Sequence, residues 1–203
     1  MAKISALFWD VGGVLLNNGW DRKERQMTAK KFDLDWEEFE DRHELVAGRF
    51  ETGKLSLDRY LDRTIFYRSR DFERDEFRAY MFSLSRPIDG TLEVVGRIAR
   101  SGRYLLSTLN NESRELNLHR IEQFGLRNSF SFFMSSCFLG VKKPEDEIFR
   151  LALDLTQRKP EECLFIDDRE LNVECAARLG LGTLLFRNAA QLEKDLHNAG
   201  LEF

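Results

Sequence analysis

Basic residues hold no excess in this chain: 31 Lys and Arg face 35 Asp and Glu, a formal charge of −4. A surface that tracks nucleic-acid phosphates shows as a basic excess, so nucleic acid is excluded as the main partner. No apolar run approaches the ~20 residues that span a bilayer, so no membrane partner is expected. The opening MAKISALFWD lacks the long apolar stretch and small-residue cleavage site of a secretion signal, and reads as a buried strand. Cysteine is scarce. Cys137, Cys163 and Cys175 are odd in number and share no ligand spacing, which argues against a disulfide framework and a zinc site. A reduced, cytoplasmic setting is expected. His43, His119 and His197 are too scattered for a metal triad, and no internal repeat or low-complexity segment occurs. What remains is a globular chain of 203 residues, 42% hydrophobic and 33% charged, long enough for one domain with an insertion.

Short apolar runs at Ile4 to Trp9, Tyr104 to Leu106, Phe130 to Met134, Leu164 to Ile166 and Thr183 to Phe186 predict strands. The run of Phe130, Phe132 and Phe133 reads as buried, and Cys163 and Cys175 as core residues. Between the runs, Leu92, Val95, Ile98 and Ala99 recur at helical spacing. So do Ile148, Leu151, Ala152 and Leu155, and Val173, Ala176, Ala177 and Gly180. Strands alternating with helices predict a doubly wound α/β fold, a parallel sheet covered on both faces. Residues 17–86 differ: they show no convincing strand, and Leu57, Tyr60, Leu61 and Ile65 recur helically behind a Ser56 N-cap. They predict a helical insertion after the first strand. The core domain is then 1–16 and 87–203, with the chain returning through Arg86-Pro87-Ile88-Asp89-Gly90.

The predicted strands run into polar residues. Asp10 and then Gly12-Gly13 follow the first; Ser107, Thr108 and Asn110 follow the second; Asp167, Asp168 and Asn172 follow the fourth. Lys143 precedes Pro144 at a helix start. In open α/β sheets ligands bind outside the carboxyl ends of the strands, so these groups gather at one edge. Such a set suits phosphoryl transfer. A carboxylate such as Asp10 attacks phosphorus. Asp10 with Asp167 or Asp168 supplies hard oxygen ligands for Mg²⁺. The Ser107 hydroxyl and the Lys143 ammonium hold the remaining phosphoryl oxygens. Pro144 aims the lysine through its backbone, and Gly12 and Gly13 allow a tight turn.

FWDVGGVLL, LLSTLNN, GVKKPEDEIFRLAL and FIDDRELNVECAARLGL resemble, in order, the four motifs of the haloacid dehalogenase (HAD) superfamily. Four ordered motifs at strand ends are far more specific than one. The insertion resembles the α-helical cap of its phosphatase-rich subfamily, with the nearest likeness to sugar-phosphate phosphatases of the α-D-glucose-1-phosphate phosphatase type. The resemblance implies a Rossmann-like core and an Mg²⁺-dependent phosphatase acting on a small phosphorylated substrate through an aspartyl-phosphate. It makes Asp10 the nucleophile and a metal ligand, with the Gly12 carbonyl and Asp168 completing the metal site. Ser107 and Lys143 become catalytic and substrate-binding, with Thr108 and Asn110 as further substrate contacts. Asp167 and Asn172 support the others. A single sheet predicts a monomer, or at most a weak homodimer through an exposed cap face.

One position departs from the family pattern. A second aspartate usually stands two residues after the nucleophile and acts as general acid and base, help worth about 10²–10⁴-fold. Here that residue is Gly12. Substrates with good leaving groups would compensate, as would another acid such as Asp167, Glu170, Asp21 or His43. Trp20, Arg22, Arg25 and the turn Phe50-Glu51-Thr52-Gly53-Lys54 are the candidate substrate contacts of the cap. Two rival readings remain: a catalytically weak phosphate- or partner-binding protein, and a 2-haloacid dehalogenase in which the same aspartate attacks carbon without a metal.

Overall fold

The computed structural model describes residues 3–203. Five parallel strands form one sheet in the order β3-β2-β1-β4-β5. They are β1 (Ala6–Trp9), β2 (Leu105–Asn110), β3 (Phe132–Ser135), β4 (Cys163–Asp167) and β5 (Gly182–Leu185). Strand β1 is central, and its side chains alternate between two fully buried faces. Leu7 and Trp9 join the cluster with Val95 and Ile98, whereas Ala6 and Phe8 join Phe149 and Phe165. That two-sided burial is why β1 reads as an unbroken apolar run rather than an alternating one.

Helices cover both faces: α5 (Thr91–Ser101), α6 (Arg114–Gln123), the short α7 (Ser136–Leu139), α8 (Asp146–Thr156), α9 (Glu170–Arg178) and α10 (Ala189–Asn198). Between β1 and α5 lie four more: α1 (Arg22–Lys31), α2 (Trp36–Glu51), α3 (Leu57–Thr64) and α4 (Arg74–Ser83). Asp21, Asp35 and Ser56 cap the first three, each accepting backbone N–H groups from the first turn. These four helices pack on their own aromatic cluster, including Trp20, Phe39, Phe50, Tyr60 and Phe77, joined by Leu116 from α6. The chain leaves and re-enters the sheet side by side: Asn17 N donates to Arg86 O at 2.9 Å, and Arg86 N donates to Asn17 Oδ1 at 2.8 Å.

Two expectations change. Strand β2 continues to Asn110, so Ser107, Thr108 and Asn110 lie within the strand instead of after it. Strand β3 begins at Phe132 and lies at the sheet edge, where Phe132 is exposed and Phe133 half-buried; only Phe130 is buried. An edge strand has no second neighbour to cover it, so its apolar run is only partly enclosed.

Candidate active site

The carboxyl ends of β1 and β4 carry the charges. Asp10 follows β1, and its N–H donates to Ile166 O at 2.8 Å, which continues the strand pairing. The chain then turns sharply: Leu15 N and Leu16 N both donate to Val11 O, and Gly13 adopts φ +80°. The Gly13 backbone lies against Asp168, where a Cβ would come within 2.2 Å of Asp168 Oδ2. Only glycine fits both the left-handed φ and this contact.

Lys143 reaches across the strand ends. Its Nζ lies 3.0 Å from Asp10 Oδ1 and donates to Asp167 Oδ2 at 2.5 Å, with all three side chains buried. Asn111 holds the lysine's backbone on both sides: its Nδ2 donates to Lys143 O at 2.8 Å, and its Oδ1 accepts from Lys143 N at 2.9 Å. Asp167 is saturated. It also accepts from Arg169 N and from the Asn172 amide. Asp168 is not: its Oδ1 is buried with no hydrogen-bond partner. Oxygens of Asp10, Asp167 and Asp168 all lie within 4.8 Å of one another. An orphaned carboxylate oxygen inside an acidic trio fits a hard divalent cation, since such a group is costly without a counter-charge.

Protonation follows from this crowding. Burial, and then the charges of Asp167 and Asp168, push Asp10 up to about 7 against the pull of Lys143. Burial and Asp167 likewise raise Asp168. Burial acts to lower the Lys143 ammonium, but Asp10 and Asp167 hold it above its ordinary value.

Above these groups lies a cleft of about 600 Å³ between the strand ends and the inserted helices. Asp10, Gly12, Lys143 and Asn172 line it, with Asp167 buried behind and Asp168 beside. Ser107, Thr108 and Asn110 do not. Ser107 pairs with Phe8, two residues short of Asp10, and its hydroxyl donates to Thr108 O and Phe132 O. Thr108 Oγ1 is buried without a partner. Asn110 is tied into a buried network with Asn117 and Ser135. The longer β2 moves the strand end to Asn111 and Glu112, and these face the cleft instead. The doubled asparagine of LLSTLNN was the available signal for that strand end.

The candidates from the insertion also divide. Trp20, Asp21, Arg22, His43, Phe50 and Glu51 line the cleft, as does Arg25. The Arg25 guanidinium, however, is fully engaged by both Glu40 oxygens, at 2.8 and 2.7 Å, and by Trp20 O. Thr52, Gly53, Lys54 and Glu170 lie outside the cleft lining. His43 Nδ1 lies 2.8 Å from Tyr60 Oη, which accepts from Trp20 Nε1 at 2.9 Å. Burial and Arg25 push His43 down to about 4, which removes it as a proton donor near neutral pH.

A doubly wound parallel sheet thus carries an acidic trio and a buried lysine together at its carboxyl edge. The haloacid dehalogenase-like hydrolase family matches residues 4–180, and the chain belongs to that family. It is 31% identical over 160 residues to flavin mononucleotide hydrolase 1 of Arabidopsis thaliana, covering 79% of this chain and 64% of that protein. It is 29% identical over 116 residues to glyceraldehyde 3-phosphate phosphatase of Pyrococcus furiosus, covering 57% of this chain and 48% of the relative. A HAD family enzyme of Bacteroides thetaiotaomicron shares the fold, with a TM-score of 0.79 at 24% identity over 92% of this chain and 95% of that one. The same enzyme has also been crystallised with magnesium and inorganic phosphate, and there the TM-score is 0.75 at 22% identity, covering 91% and 95% of the two chains.

Proposed function

We propose that the chain is an Mg²⁺-dependent phosphatase that hydrolyses a small phosphorylated metabolite, a sugar phosphate, through an aspartyl-phosphate on Asp10. The observation that carries this reading is the orphaned, buried Asp168 Oδ1 beside Asp10, with Lys143 3.0 Å from the nucleophile. Asp10 attacks phosphorus and later leaves it. Lys143 orients Asp10 and neutralises the equatorial phosphoryl oxygens, held in turn by Asp167 from one side and Asn111 from the other. Asn111, at the cleft, positions Lys143 through its backbone, whereas Ser107, Thr108 and Asn110 lie outside the cleft lining. Asp10, Asp168 and the Gly12 carbonyl would hold the ion, which supplies charge neutralisation between carboxylates and phosphoryl group when bound. The inserted helices act as the cap, excluding water and choosing the leaving group. A polar lining of Asn18, Asp21, Arg22 and Glu112 suits a hydroxyl-rich leaving group. The relatives named as a flavin mononucleotide hydrolase and a glyceraldehyde 3-phosphate phosphatase support hydrolysis of a small phosphate ester.

The acidic trio favours phosphoryl transfer over metal-free attack on carbon, the dehalogenase alternative. Three free, buried cysteines suit a reduced cytoplasm. Among the described residues no helix is long and apolar enough to cross a membrane. One single-sheet core suits a monomer or weak homodimer.

The test is release of inorganic phosphate from p-nitrophenyl phosphate and from glucose 1-phosphate, with Mg²⁺ and with excess chelator. Release is expected to need the metal and to vanish in Asp10→Asn. Release that survives chelation or the substitution overturns the reading.

A further inference from the structure

Gly12 provides no acid, yet a carboxyl group stands one guanidinium away. A Cβ on Gly12 would lie 3.0 Å from Asn18 Oδ1 and 3.8 Å from Arg120 Nη1. Arg120 Nη1 in turn lies 3.2 Å from Glu112 Oε2. Arg120 is itself anchored, Nη2 donating to Asn17 O at 2.7 Å and Nε to Ser85 Oγ at 3.0 Å. Glu112 is nine-tenths buried and lines the cleft on the loop after β2, beside the Asn111 that holds Lys143. Its Oε1 accepts from Ser113 N and Ser113 Oγ, so the carboxyl is fixed in place.

We propose that Glu112 is the general acid and base of this site, taking the part that Gly12 cannot. The proposal rests on the phosphatase reading above.

Among the described residues, Glu112 is the carboxyl paired with the guanidinium that faces Gly12; Asp167, Asp21 and Glu51 pair with other groups. Asp167 is saturated by Lys143, Arg169 N and Asn172. Asp21 caps α1; its hydrogen bonds outweigh its partial burial and hold it below the ordinary range, as an anion. Glu51 pairs with Lys142 at 2.8 Å. The charged groups facing Glu112 are Arg120 from α6 and Glu51 from α2. Burial and Glu51 raise the Glu112 carboxyl, and Arg120 and Ser113 restrain that rise without reversing it. The group is thereby brought toward the range in which it both gives and takes a proton.

The steps balance. As an Asp10 oxygen bonds to phosphorus and the ester P–O bond breaks, the Glu112 carboxylic acid gives its proton to the leaving oxygen, forming an alcohol. The Glu112 carboxylate then takes a proton from water. The resulting oxygen bonds to phosphorus, the Asp10–phosphorus link breaks, and Asp10 returns as a carboxylate. The sum is ester plus water to alcohol plus phosphate.

Leaving-group dependence tests this. Glycerol 2-phosphate expels an alkoxide that needs a proton, whereas nitrophenolate does not. Glu112→Gln is expected to lower kcat/KM on glycerol 2-phosphate at least about 100-fold, and single-turnover release of nitrophenol by less than about tenfold. It should also show a burst of nitrophenol equal to the enzyme present, since water then lacks its base. Equal losses on the two esters, or no loss on the alkyl ester, overturn the proposal. Where Glu112→Gln does not fold, judged by circular dichroism, Glu112→Asp decides. It must shift a limb of the kcat/KM–pH profile on glycerol 2-phosphate, and an unmoved profile overturns the assignment. A wild-type enzyme silent on both esters with Mg²⁺ is a different failure, that of the phosphatase reading itself.

Discussion

His43 and Gly13 show how the surroundings of a single residue decide what it does here. His43 is buried against Tyr60 and near Arg25, which takes it from 6.5 down to about 4. The unfolded chain therefore binds a proton that the folded one refuses. Its contribution to stability is complete above pH 6.5 and is lost as pH falls from about 6.5 through about 4. Thermal melts across that window should show a steeper acid loss for the wild type than for His43→Asn. Gly13 faces a constraint of shape. Gly13→Ala would set a methyl 2.2 Å from Asp168 Oδ2 at φ +80°, a conformation that costs an alanine ~1–2 kcal/mol. We expect this variant to lose Mg²⁺ binding by calorimetry while its circular dichroism stays native.

At the scale of elements, the site is a meeting of strand ends, and its precision depends on loops that bridge them. Asn111 ties the end of β2 to the loop before α8 through two hydrogen bonds to Lys143. Removing both leaves buried backbone groups unpaired, at a cost of about 1–3 kcal/mol. Asn111→Ala should lower kcat and shift the melting temperature down, whereas Asn111→Asp, which keeps one acceptor, should recover part of the stability. Melts and steady-state kinetics on p-nitrophenyl phosphate check this. Recovery of stability without recovery of kcat would identify the donor half of the pair as the part that aims Lys143.

Across the whole molecule, the inserted helices and the sheet meet through close contacts. Ser136 Oγ donates to Glu51 O, Leu57 N donates to Glu115 Oε1, and Arg120 grips Asn17 and Ser85, near the ends of the insertion. Gly53 is where the insertion presses on core backbone. It sits at φ +69°, and a Cβ there would lie 2.2 Å from the Cys137 carbonyl oxygen. Backbone cannot retreat as a side chain can, so Gly53→Ala should push the insertion off the core. The expected result is a raised KM with a lower melting temperature, measured on the same ester. By contrast, Lys142→Ala breaks a half-exposed pair and should cost only about 0.2–1 kcal/mol in denaturant unfolding.

The sequence by itself determined the parallel sheet, because the buried runs before Asp10 and Asp167 and the helical periods between them are local patterns. It also named Asp10, Gly12, Lys143, Asp167, Asp168 and Asn172, which the fold brings to one edge, because each stands at or shortly after the end of an apolar run or on the approach to a helix. It did not determine where β2 ends. LLSTLN is apolar enough to stop early or to run on, and only pairing with β1 and β3 carries it to Asn110. That pairing turned Ser107 inward and brought Asn111 and Glu112 to the cleft. Arg25 and Arg120 were decided by tertiary structure alone. A buried guanidinium takes its partners from wherever the fold supplies oxygens, here Glu40 for one and Glu112, Asn17 and Ser85 for the other, and no spacing along the chain encodes that choice.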